Sequence, residues 1–139
     1  MFELFEHKAD VGVRGIGKSL EEAFAECAKA MFSVMADLKK VEPEMAEKVE
    51  IETENREQLL VEFLNHLLYL RDVKGMLFSS FNLYITDGGN NWQLKGKAVG
   101  EKIDKEKHSL KGDVKAASYH QLKVEEEDGK FVAQCVVDV

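Results

Sequence analysis

Leu59, Leu60, Phe63, Leu64, Leu67, Leu68 and Leu70 recur at helical spacing, and together they cover far more of a helical surface than one narrow stripe. A helix that is apolar on several sides belongs inside a domain, so this stretch is predicted to be the hydrophobic centre. Asn55 with Gln58 supplies a start signal, and Gly75 is placed to end the helix in a left-handed cap. A second helix is announced by Ser19-Leu20-Glu21-Glu22, which has the form of a capping box. Leu20, Phe24, Cys27, Met31 and Met35 then mark its buried face, with Glu21, Glu26 and Lys29 turned to water. The methionines read as core, although such a stripe can also serve as an adaptable partner surface.

Elsewhere the period falls to two. Phe2 to Glu6 and Val11 to Ile16 predict two short strands, and Gly15 with Gly17 suggests a bend. Asp37 to Glu47 is charged, holds Pro43 and reads as a surface connection. Val49, Ile51 and Thr53 alternate with three glutamates as a half-buried strand does. Phe81 to Thr86 and Trp92 to Ala98 alternate on either side of Asp87-Gly88-Gly89-Asn90-Asn91, which predicts a hairpin. Glu101 to Asp113 has few apolar anchors and reads as a mobile connection with His108 solvated in it. From Val114 to Val124 strict alternation predicts one strand, with Val114, Ala116, Ser118, His120, Leu122 and Val124 on a common face. Asp128-Gly129 then turns the chain into a last antiparallel strand through Phe131, Ala133, Cys135 and Val137. Two main helices packed on antiparallel sheet make an α+β fold, and residues 1–139 are expected to form a single domain.

Composition narrows the functions available. Twenty-six acids against nineteen Lys and Arg give a formal charge of -7, which disfavours direct non-specific binding to phosphate backbones. Any meeting with RNA is expected to run through a partner. The first ten residues lack the basic and apolar regions of a secretory signal, and no apolar run approaches a membrane span. A cytoplasmic protein is expected, with Cys27 and Cys135 as reduced, buried thiols.

Familiar catalytic patterns are missing. There is no GxSxG, no zinc-finger spacing, and the Gly-rich loop neither precedes a helix nor contains GxxxxGK[ST]. What remains is Asp10 at the mouth of a strand, Asp138 and the terminal carboxylate of Val139 at the other end of the chain, and His7 and His120 as candidate neighbours. Oxygen donors of this kind suit calcium or magnesium, and a histidine nitrogen would shift the preference toward zinc or manganese.

Glu6-His7-Lys8-Ala9-Asp10-Val11-Gly12-Val13, Ser19 to Phe24, the Leu59 to Asp72 helix, Gly100-Glu101, Val114 to His120 and the closing Val137-Asp138-Val139 together resemble the archeases. The resemblance spans the whole chain and implies a small α+β accessory protein, not itself an enzyme. It implies a partner, the RtcB-type tRNA-splicing ligase, whose guanylylation by GTP and repeated turnover the archease promotes. It also implies a divalent cation, calcium in the first instance, held by Asp10, Asp138 and Val139, with Lys115 and His120 activating the ligase or supporting the site. Lys8 stands where the family usually has threonine. Two other readings make different predictions: a stand-alone metal-dependent phosphoesterase built on the same acids with His120, and a chaperone-like module using the methionine stripe.

Overall fold

The structure is a computed structural model that describes residues 1–139. In chain order its elements are β1 (Phe2–His7), β2 (Asp10–Gly17), α1 (Leu20–Met35), a 3-10 turn (Leu38–Lys40), β3 (Met45–Thr53), α2 (Arg56–Lys74), β4 (Met76–Asp87), β5 (Trp92–Lys102), the short α3 (Lys105–His108), β6 (Ala116–Ala117), β7 (Lys123–Glu127) and β8 (Lys130–Asp138). One antiparallel sheet runs β1-β2-β8, with β6 and β7 sharing the far edge of β8, and the other runs β3-β5-β4.

Both helices lie between the two sheets. α1 packs on β1, β2 and β8 of one sheet and on β4 of the other, while α2 packs on β3, β4 and β5 and on β6 and β7. This explains the breadth of the leucine pattern: Leu59, Leu60, Val61, Phe63, Leu64, Leu67, Leu68 and Leu70 are all buried because α2 meets apolar surface on two sides. Phe32 meets Phe78 edge to face at 5.7 Å between ring centres, and Phe63 meets Phe81 in the same way at 6.1 Å. Such aromatic pairs tie a helix to the three-stranded sheet. A single cluster of 33 buried residues runs through all three layers, so the sheets share one core.

The helix ends follow the sequence signals. Ser19 Oγ accepts from Glu22 N–H at 3.1 Å, Asn55 Oδ1 accepts from Gln58 N–H at 2.8 Å, and Gly75 takes the left-handed conformation at φ 63°. Three expectations need correction. Gly15 makes no bend, since β2 runs through it and ends only at Gly17, after which the chain bends at Lys18 and Ser19. A Cβ on Gly15 would stand 2.1 Å from Ala23 O and 2.2 Å from Cys27 N, so the glycine is there to let α1 lie against the strand.

The predicted continuous strand from Val114 to Val124 is in fact two. β6 is only Ala116–Ala117, the chain turns through Ser118 to Gln121, where Gln121 has φ 54°, and β7 starts at Lys123. Alternation could not register this break, because the turn residues keep the polar and apolar order of a strand. The supposed mobile connection after β5 is also ordered: Glu101 belongs to β5, α3 follows, and His108 has no exposed surface.

Candidate functional site

The two ends of the chain meet at one end of the five-stranded sheet. A two-residue turn, with Lys8 at φ 54°, folds β1 back on β2 and sets His7 directly across from Asp10. On the other side of β2, Val11 pairs with Val137, so the next step of the register puts Asp10 across from Asp138. Asp138 in turn pairs with Ala116 of β6. Residues directly opposed in a sheet share a face, and His7, Asp10 and Asp138 therefore form one row. Val139 N–H donates to Asp10 Oδ1 at 3.4 Å, a long bond that joins residues 129 apart in sequence.

The remaining residues close in from β6. Lys115 N–H donates to Asp138 O at 2.8 Å. Beyond Ala117, Ser118 Oγ donates to Val136 O at 2.8 Å and accepts from His120 N–H at 3.3 Å, and His120 O accepts from Val136 N–H at 3.0 Å. These bonds bring the His120 ring to 5.8 Å from that of His7, tilted by 51°. Asp10, Asp138 and His7 are half-buried, whereas Lys115, His120 and Val139 are exposed. All six residues singled out in the sequence are thus gathered at one open corner.

The donor set there is two side-chain carboxylates and the oxygens of the last residue, with two imidazoles alongside. Hard oxygen donors on one face, open to solvent on the other, fit a calcium or magnesium ion, and recruitment of an imidazole would suit manganese or zinc. Lys8 is exposed at the turn, and Asp10 takes its hydrogen bond from the Val139 amide.

A second acidic group, Glu42, Glu44 and Glu101, has carboxylate oxygens within 4.8 Å of one another. Here the protein supplies its own cation. Lys107 Nζ lies 2.7 Å from Glu101 Oε1 and 3.4 Å from Glu42 Oε1. Glu101 Oε2 also accepts from Glu42 N–H, and Oε1 is 3.0 Å from His108 Nε2. Since His108 Nδ1 accepts from Asp104 N–H at 2.9 Å, the ring proton sits on Nε2 and is donated to Glu101. The Lys107 ammonium, first of all, holds the Glu101 carboxyl below its ordinary value of 4.5. This network ties α3 to β5 and to the segment before β3. The only sequence hint of it was Gly100-Glu101, seven residues before a histidine, in a run otherwise read as solvated.

His66 is half-buried with its ring 5.8 Å from that of Tyr69, and burial lowers its pKa. Met31 and Met35 are buried in the core, so the methionine stripe offers no partner surface. No helix is long and apolar enough to cross a membrane.

The archease protein family matches residues 2–139 of this chain. The chain is 45% identical to a protein archease of Pyrococcus furiosus and 46% identical to one of Thermococcus gammatolerans, in each case over 99% of this chain and 98% of the relative. It superposes on the solution structure of Methanobacterium thermoautotrophicum protein 1598 with a TM-score of 0.87 at 38% identity, covering 99% of this chain and 98% of that one. The crystal structure of an archease from Thermotoga maritima, described as a possible chaperone, shares the fold at a TM-score of 0.57 and 20% identity.

Proposed function

Because this chain belongs to the archease family, we propose that it is a metal-binding accessory protein that activates an RtcB-type tRNA-splicing ligase. It promotes guanylylation of the ligase by GTP and repeated turnover, and it meets RNA only through that ligase in the cytoplasm. The observation that carries this reading is the meeting of Asp10, Asp138 and Val139 at an exposed corner, with His7, Lys115 and His120 around them.

Asp10, Asp138 and the end of the chain would hold the cation, calcium in the first instance, with magnesium, manganese or zinc as the other candidates. When bound, the ion supplies positive charge that can offset charge developing on phosphate oxygens. The chain's own residues do the rest. β1, β2 and β8 fix the acids in one row, the β-hairpin presents His7, and the exposed Lys115 ammonium and His120 ring face the partner. An acidic corner of this kind is complementary to a basic nucleotide-binding site and would steer docking.

The test is a ligase guanylylation assay with GTP, run with and without this protein. Wild type should stimulate, while Asp10→Ala should lose at least about tenfold in calcium affinity and most of the stimulation. A short C-terminal extension that displaces the Val139 carboxylate should act in the same direction. Normal metal binding and full stimulation by Asp10→Ala would sink the proposal.

A further inference from the structure

β6 has one edge on β8, and its other edge is closed by a side chain. Ala117 N–H donates to Asn65 Oδ1 at 2.8 Å, and Ala117 C=O accepts from Asn65 Nδ2 at 3.2 Å. This is the two-bond exchange of an antiparallel strand pair, made here by an amide of α2 in place of a neighbouring strand. Asparagine is a poor helix former, so its position in the middle of α2 needs a reason beyond helix formation. The other side of β6 is equally fixed. Lys115 N–H bonds Asp138 O at 2.8 Å and Ser118 N–H bonds Val136 O at 3.0 Å. The segment from Lys115 to Ser118 is therefore clamped between α2 and β8, and the turn that follows carries His120.

We infer that Asn65 is a positioning residue for the chain-end site, holding Lys115 and His120 in register with Asp10, Asp138 and Val139. This rests on the function proposed above for that corner. The Asn65 amide bonds the backbone of Ala117 and not the acids, which come from β2 and β8 and are held by the β2–β8 ladder. Removing the amide leaves that ladder intact but frees both backbone groups of Ala117 to turn to water. The segment can then lift from α2. Lys115 and His120 lose their fixed place while the acid pair keeps its own, so ligase stimulation should suffer more than cation binding.

The experiment compares wild type, Asn65→Ala and the nearly isosteric Asn65→Asp, which keeps an acceptor for Ala117 N–H but sets an oxygen against Ala117 C=O. In Asn65→Ala, amide exchange at Ala117 should rise about tenfold or more while β2 amides keep their protection. The concentration needed for half-maximal ligase guanylylation should also rise about tenfold, while calcium affinity changes less than about threefold. Asn65→Asp should move in the same direction. Unchanged exchange at Ala117 or unchanged stimulation overturns the inference, and so does loss of protection throughout the sheet, which would make Asn65 a general structural residue. A wild type that fails to stimulate the ligase refutes the function proposed above, and the exchange comparison then decides the clamp by itself.

Discussion

Glu101 accepts hydrogen bonds from the Lys107 ammonium, the Glu42 amide and the His108 ring, and these partners offset the desolvation of a carboxylate that sits at 6% exposure. Its folded pKa lies below the ordinary 4.5, chiefly through Lys107. The stability it contributes is therefore complete above the ordinary value and is lost as pH falls through the lower, folded one. Lys107 has the opposite sense: Glu101 raises its pKa above 10.5, and its contribution fades only as pH rises through that raised value. Melting curves from about pH 7 to about pH 3 should show a smaller acid-side fall in Glu101→Gln than in wild type. Equal slopes for the two proteins would mean the network is not coupled to folding. The thiols offer no comparable handle, since burial pushes Cys135 up to about 12 and Cys27 well above its ordinary value.

At the scale of elements, the approach of α1 to β2 depends on a missing side chain. Gly15→Ala would drive a methyl into the backbone at Ala23 and Cys27, and backbone cannot swing aside as a flexible side chain can. Urea unfolding should show a loss of about 3 kcal/mol, at the upper end of overpacking costs, against less than about 1 kcal/mol for a change at the open Gly129 turn that keeps a left-handed former such as asparagine. This glycine illustrates how element-level reading succeeds and fails. The helix ends were legible because caps are local chemistry: Ser19, Asn55 and Gly75 act on amides or dihedrals within a few residues. The role of Gly15 was not, because its reason lies eight and twelve residues away, at Ala23 and Cys27 in another element.

For the whole molecule, the decisive feature is that both sheets press on the same two helices. With one core shared across three layers, neither sheet can lose its packing alone. Trp92, the one tryptophan, lies on β5 of the three-stranded sheet, and its fluorescence should change at the same urea concentration as the far-UV signal of the whole chain. Two separate midpoints would show that the sheets unfold independently.

By itself the sequence determined the two long helices, the hairpins, the α+β class and the two terminal acidic blocks, because periodicity and capping are properties of near neighbours. Only the tertiary structure decided that Asp10 stands across from Asp138, that Val114 to Val124 breaks into β6, a turn and β7, and that His108 is buried against Glu101. The register of β2 against β8 and the closure of an edge by Asn65 are set by contacts between residues 50 or more positions apart. Such contacts leave no local pattern to read, and they come into being only when the layers pack.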